Sequence, residues 1–299
     1  MRVTHKMIAA SVAINLNKNL YSLERMSTQL SNGKLFDRPS QDPVGTVKVM
    51  RLHVGMARNN QYQKNITEAR IWLDATESAL KESIAVVQRL RELAIDAVSG
   101  TKTAEDLKMI LPEAQELLEH LQGLANSEYS GLYLFAGHKT KTKPFSAEAD
   151  GTFTYHGDSG VRRLEISRHD SLTLNIAGGE IFGGTGSGDG LLEAAAEVVH
   201  ALAENDTEAL GGEILKKLDA GLQRLLAAAA ETGGRQERLN AAFDRLFAEE
   251  IHMREARSQT EDLDYAKAIM EYAMQENAYR AALATGARMV QPSLVNYLR

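Results

Sequence analysis

Two sparse apolar stripes bracket the chain. Residues 1–30 place Val12, Leu16, Leu20, Leu23 and Leu30 mostly at three- and four-residue spacings. Residues 263–298 carry a second stripe through Leu263, Ala266, Met270, Ala273, Asn277, Ala284 and Ala287, with Leu294 and Leu298 beyond it. Narrow seams of this kind are the coiled-coil pattern, not the broad apolar face of a globular-core helix. Neither stripe can bury much surface alone, so each calls for a partner helix: the other stripe, or the same helices of neighbouring copies. Asn15, Asn19 and Asn277 interrupt the seams. A polar residue at a seam position fixes register and partner number at a cost in stability, which favours self-assembly over simple internal packing.

Between the stripes the pattern predicts helix, a short β region, and helix again. The first helix is expected over residues 3–30, ended by Ser31-Asn32-Gly33, where Asn or Gly supplies a left-handed residue. A connector follows over residues 34–45, with Pro39 and Pro43 on either side of Ser40 and Asp42. Asp42 reads as an N-cap with proline at the first helical position. From Pro43 to about Val98 the helical period is unbroken. Its strongest seam is Ile66, Ala69, Leu73, Thr76, Leu80, Ser83, Val87, Leu90, Ala94 and Ala97. A helix of that length runs to about 80 Å at 1.5 Å per residue, too long for a compact domain. A second helix with Leu107, Leu111, Ala114, Leu118, Leu121 and Ala125 is expected to fold back on it, with a kink or fresh start at Pro112.

Residues 131–182 change character, with TFTY, RRLEISR and SLTLNI reading as strands of a small β domain. Helix resumes near Leu191, with breaks expected at Gly211-Gly212 and Gly233-Gly234. The expected organisation is an assembly helix and connector (1–42), the two arms of a helical rod (43–130 and 191–262), a β domain (131–190) and a terminal assembly helix (263–299). The fold class is mainly α with a small β insert, a long antiparallel coiled-coil rod.

Composition bears this out in part. Alanine runs and only five prolines favour long helices. The net charge of −6 is uneven: six bases against two acids give residues 1–38 a charge of +4, leaving −10 for the remainder. That distribution speaks against nucleic acid as the main partner. The chain has no cysteine, so disulfides and thiolate metal sites are unavailable. No apolar run approaches the roughly 18 residues of a membrane span. The segment MIAASVAI after a basic start imitates a signal peptide, but no cleavage motif follows and the seam runs through it, so the N-terminus is read as retained.

Candidate chemistry is thin. GGTGSGDG over residues 183–190 lacks the third glycine of a dinucleotide loop and the Lys of a P-loop, and reads as a flexible link. The eight histidines form no H-E-x-x-H. His138 and His156 are better placed in turns than in a metal pair. No G-x-S-x-G elbow occurs. Tyr129, Tyr133, Phe135, Phe145, Phe153 and Tyr155 read as the core of the β domain, and Lys139, Lys141 and Lys143 as a solvated loop. No catalytic, metal or cofactor residue is expected, and no enzyme.

The stretches LSNGKLFDRPSQDPVG (residues 30–45) and YAKAIMEYAMQENAYRAALATGARMVQPSLVNYL (residues 265–298) resemble the paired terminal regions of the flagellin superfamily. Three features resemble its hook-associated branch rather than its filament subunits. These are PSQDP (residues 39–43), the run LANSEYSGLYLFAGHKTKTKPF (124–145) with YHGDSG and GGEIFGG behind it, and the ending QPSLVNYL. Gln41 stands where that family commonly has a second acid, leaving Asp42 as the connector's carboxylate. The resemblance implies an extracellular structural protein at the hook–filament junction, passing through the cytoplasm before unfolded type III export. The implied partners are further copies of itself, the preceding hook-associated protein, flagellin and a cytoplasmic export chaperone. The implied assembly residues are those of the terminal stripes, with Gly33, Pro39, Asp42 and Pro43 forming the connector. A filament subunit and a cytoplasmic coiled-coil scaffold are the alternatives.

Overall fold

The computed structural model describes residues 5–99, 104–148, 152–184 and 190–290. In chain order these form α1 (His5–Asn32), α2 (Pro43–Val98), α3 (Ala104–Ala125), strands β1 (Glu128–Tyr129), β2 (Leu132–Tyr133), β3 (Phe145–Ala147), β4 (Phe153–Tyr155), β5 (Arg163–Ser167) and β6 (Asp170–Thr173), then α4 (Gly178–Ile181), α5 (Leu191–Glu204), α6 (Thr207–Ala209), a π-helical turn (Leu210–Ile214), α7 (Leu215–Glu261) and α8 (Tyr265–Val290). They divide into two compact units, one from residues 1–58 with 249–299, the other from residues 59–248.

The unit of residues 59–248 is built on heptads. All ten positions of the seam from Ile66 to Ala97 are buried. On α7, Ile214 at its threshold, then Leu218, Leu225, Ala228, Thr232, Leu239, Ala242 and Leu246 recur at spacings of three, four and seven and are buried too. The two helices run antiparallel, tied by Arg91 to Asp219 (2.6 Å), Gln236 to Asp74 (2.8 Å) and the Asn59 amide to the Leu246 carbonyl (2.9 Å). Arg89 with Glu113 (2.7 Å) and His120 with Glu82 (3.2 Å) set α3 antiparallel to α2. The folded-back hairpin is therefore present. Pro112 does not restart the helix; α3 runs through it. The residue is exposed, so the carbonyl that its ring leaves without a donor is open to solvent.

Gly233 and Gly234 do not break α7 either. Leu225, Ala228, Thr232 and Leu239 bury one face on either side of them, and that burial outweighs a propensity cost of about 1 kcal/mol per glycine. A Cβ at either position would meet nothing within 4 Å. Gly233→Ala and Gly234→Ala are therefore expected to stabilise the chain by about 0.5–1 kcal/mol each, chiefly through the unfolded state. A rise in thermal midpoint checks this, and a fall contradicts it. The break expected at Gly211-Gly212 appears as the π-helical turn, and α5 has already ended at Asn205, which takes a left-handed φ of 57°.

The strands form three separate antiparallel ladders, β1–β2, β3–β4 and β5–β6. They have no core of their own. Phe135, Phe145, Phe153, Ile166 and Leu172 belong to the same apolar cluster as the seams of α2, α5 and α7. Phe145 is fully buried against Tyr155 (5.1 Å between ring centres) and Phe182 (5.7 Å), and Phe135 meets Phe182 edge-on at 5.2 Å. Asn126, just past α3, both donates to the Phe145 carbonyl (3.1 Å) and accepts from its N–H (2.9 Å). Tyr129, expected in this group, instead stands edge-on to Trp72 of α2 at 6.4 Å. Arg162 lies over the same indole, 4.7 Å from its centre, a cation–π contact that moors β5 to α2.

The loop between β4 and β5 is closed by Asp158, whose carboxylate accepts the backbone N–H groups of His138 (2.7 Å) and Gly160 (2.9 Å). Those two bonds hold its carboxyl below the usual range, the His138 N–H contributing most. Burial pushes the neighbouring Tyr155 phenol upward; its hydroxyl donates to the Phe135 and Asp158 carbonyls. His156 bonds Ser146 at 2.7 Å. Among the described residues no group of three or more His, Cys, Asp or Glu side chains could hold a metal ion, and no helix is long and apolar enough to cross a membrane. Of the glycine-rich link, residues 185–189 lie outside the described residues.

Candidate assembly interface

The unit made by the chain ends contains α1, the connector, α8 and the adjoining ends of α2 and α7. Helix α1 covers only one narrow face. Val12, Leu16, Leu23 and Leu30 of the expected stripe are half-buried, in step with Ala9, Asn19 and Met26. Leu20 is not in step: it is exposed, and Asn19 takes its place in the heptad. Met7, Ile14 and Tyr21, spaced by seven, stand 61%, 67% and 71% exposed.

Helix α8 packs on α1 through a face other than the expected one. Its half-buried positions include Ala268, Tyr272, Gln275, Tyr279 and Ala282, leading to the buried Gly286. A Cβ on Gly286 would fall 2.8 Å from Val12 and 3.9 Å from Leu16, so the glycine sets the close approach of the two helices. Met270, Asn277 and Ala284 are exposed, and Leu263 is half-buried at the helix entry. Leu294 and Leu298 lie outside the described residues. The missed packing face does carry a sequence signal: Tyr272 and Tyr279 stand seven residues apart, with Gly286 seven further on. Alanines on both faces of α8 hid it.

The connector is clamped to the α7–α8 junction. Gly33 takes φ +68° and donates its N–H to the Gln29 carbonyl (2.8 Å). A Cβ there would fall 2.6 Å from the Tyr265 hydroxyl, so only glycine satisfies both demands. The Leu35 N–H donates to the Glu261 carbonyl (2.8 Å), and the Leu263 N–H donates to the Gly33 carbonyl (2.9 Å). Lys34 and Glu261 add an ion pair, with the Glu261 side chain largely covered. Phe36 is buried, and Gly45 leaves room for its ring. Asp42 caps α2, accepting from the Gly45 N–H at 2.9 Å, with Pro43 at the first helical position. Gln41 accepts from the Asp37 N–H at 2.9 Å, a bond that closes the loop around exposed Pro39. Ion pairs along α8, Lys267 with Glu271 (3.9 Å) and Arg280 with Glu276 (2.5 Å), are surface pairs of small worth.

Among the described residues the arrangement holds no group of three or more His, Cys, Asp or Glu side chains suited to a metal ion. It offers two helices packed on each other by thin seams, with further apolar residues facing out. A profile of the bacterial flagellin N-terminal helical region matches residues 3–140. The match carries α1, the connector, α2 and α3 together. Through this N-terminal region the chain is similar to the flagellin family.

Family relatives align along nearly the whole chain. Flagellar hook-associated protein 3 of Salmonella typhimurium is 25% identical over 98% of this chain and 98% of its own length. The flagellin of Bacillus subtilis is 26% identical over 91% of this chain and 90% of its own. A solved flagellar hook-associated protein from Vibrio parahaemolyticus shares the fold, with a TM-score of 0.69 and 21% identity over 74% of this chain and all of that one. Each of these relatives is a flagellar protein.

Proposed function

We propose that the chain is the adaptor that joins the flagellar hook to the flagellin filament. The observation that carries the reading is the hook-associated similarity running through both termini and the short strand region between them. The expected features PSQDP and LANSEYSGLYLFAGHKTKTKPF lie inside that similarity, and among the described residues no large outer domain is inserted between the ladders.

On this reading the terminal pair α1–α8 is the assembly element. Its inner seam, Val12, Leu16, Leu23 and Leu30 against Gly286 and the tyrosine face, holds the pair together. Its outer residues, Leu20 and Ile14 on α1 and Met270, Asn277 and Ala284 on α8, meet other copies, with Leu263 at the entry; Leu294 and Leu298, outside the described residues, belong to the same proposed set. Gly33, Pro39, Asp42 and Pro43 orient the pair through the clamp. The partners are further copies in a ring, the preceding hook-associated protein on one side, flagellin on the other, and an export chaperone before secretion. Seams too thin to order a lone helix suit export of an unfolded chain, because the helices become stable only when neighbours cover them.

The similarity to Bacillus subtilis flagellin supports a second reading, a minor filament subunit. Immunogold labelling separates the two, with a single spot at the filament base expected for the adaptor.

A further inference from the structure

The first part of helix α2 carries charge of one sign only. From Pro43 to Thr67 it contains no acidic residue, while Lys48, Arg51, Arg58 and Lys64 are basic. The inner positions Gly45 and Val49 are buried, and Gly55 brings the helix against Met253 of α7. The outer positions Val44, Val47, Arg51, Val54 and Arg58 form a heptad stripe that is exposed throughout. Val44 is 80% and Met50 59% exposed. A groove of about 440 Å³ runs along this face, lined by Val47, Met50, Arg51, Val54, Gly55 and Arg58. Among the described residues neither arginine has an ion-pair partner.

The same unit carries the complementary stripe. Residues 249–264 hold six acids (Glu249, Glu250, Glu255, Glu261, Asp262 and Asp264) against two arginines, a charge of −4. Glu250 is paired with Arg254, and Glu261 with Lys34. Among the described residues Glu255 has His252 as its one ion-pair neighbour, at 3.8 Å, and Asp262 is exposed with no ion-pair partner, facing Lys34 across an isolated β-bridge while that lysine pairs with Glu261. Read backwards along the chain, the exposed positions are Ile269, Tyr265, Asp262, Ser258 and Glu255. This is the order of Val44, Val47, Arg51, Val54 and Arg58: two apolar residues, a charge, a small residue and a second charge. Both charge pairs are seven residues apart; Arg51 and Arg58 are separated by about 10.5 Å of helix, and Glu255 lies on α7 with Asp262 one residue past its end.

We propose that this basic, apolar face of α2 docks on the acidic, apolar face of α7–α8 in a second copy, with Arg51 against Asp262 and Arg58 against Glu255. Within each copy α2 and α7 are antiparallel, so copies standing side by side in one orientation present the stripes in this antiparallel register. The contact is heterologous, a plus face on a minus face, and where the rotation between copies closes, such contacts form a ring that leaves neither face over. The inference rests on the self-assembly in the proposed function and adds a surface separate from the terminal seams.

Because the chain lacks cysteine, cross-linking tests the contact cleanly. Val54→Cys and Ser258→Cys chains are co-expressed in cells lacking the unaltered chain, and isolated flagella are treated with a short bis-maleimide. A dimer that needs both variants is expected. Arg51→Glu with Arg58→Glu lowers its yield about tenfold, the effect of roughly 1.4 kcal/mol. Adding Glu255→Arg and Asp262→Arg to the same chain restores it; all four positions are exposed, and circular dichroism checks that the fold is kept. A dimer from Val54→Cys alone, or failure of the four-fold reversal to restore the cross-link, overturns the inference. So does binding of the purified chain to phosphatidylglycerol vesicles that is lost in Arg51→Glu/Arg58→Glu and unrestored by the reversal. Chain present in flagella without the cross-link overturns this inference alone. Chain absent from flagella overturns the adaptor reading with it.

Discussion

Removing residues 265–299 abolishes filament attachment while residues 59–248 stay folded. The two halves of this expected result have separate causes. Helix α8 and its partner α1 bury only one thin face, and Ile14, Tyr21, Met270 and Met274 are each more than 60% exposed. Deleting α8 uncovers the inner face of α1 as well, so the whole assembly element is lost, not half of it. The heptad seams of α2 and α7 and the aromatic cluster take no residue from either terminal helix. The truncated chain should therefore keep its helical circular dichroism and a cooperative thermal transition. Electron microscopy of cells carrying only the truncated chain reads the other half, as hooks without filaments. Filaments of normal length on such cells would remove the terminal pair from the account.

Phe145→Ala destabilises the unit of residues 59–248 by about 3–5 kcal/mol. Phe145 is fully buried, contacts Tyr155 and Phe182, and sits on the strand that Asn126 fastens to the end of α3. Truncating it opens a cavity where strands and helices share one core. The loss should therefore appear in a single cooperative transition, not in selective melting of the strands. Urea unfolding followed by circular dichroism measures it. A loss under about 1 kcal/mol, or a separate early transition, would mean that the ladders form a core of their own.

That shared core marks where local pattern stops being informative. The segments TFTY, RRLEISR and SLTLNI do contain strands, because alternation is a property of a few neighbouring residues. Whether Phe135, Phe145 and Ile166 pack on each other or on α2, α5 and α7 depends on contacts distant in sequence, which alternation does not encode. The seam from Ile66 to Ala97 was fully legible for the opposite reason: ten positions in one period leave a single face to bury. Gly233-Gly234 misled because a local cost of about 1 kcal/mol per residue is visible in sequence, whereas burial of Leu225 and Leu239 around it is not.

The assembly interface was legible at the level of helices and blurred at the level of faces. On α1, leucines and a valine mark the packed side, and Leu20 alone falls outside it. On α8, alanines stand on both sides, and alanine gains too little by burial to mark either. Tyr272, Tyr279 and Gly286 distinguish the inner face by size and by the close approach at Val12. The outer stripe of α2 went unread because a buried seam further along the same helix dominates its period, and because arginines at Arg51 and Arg58 look like ordinary solvated charge. Their missing acidic partners become visible only when the folded unit places every nearby side chain.

Immunogold labelling of intact flagella, with antibody raised against this chain, tests the central claim most directly. The adaptor account predicts gold at one spot, where hook meets filament. Gold distributed along the filament contradicts it and makes the chain a flagellin of the filament itself.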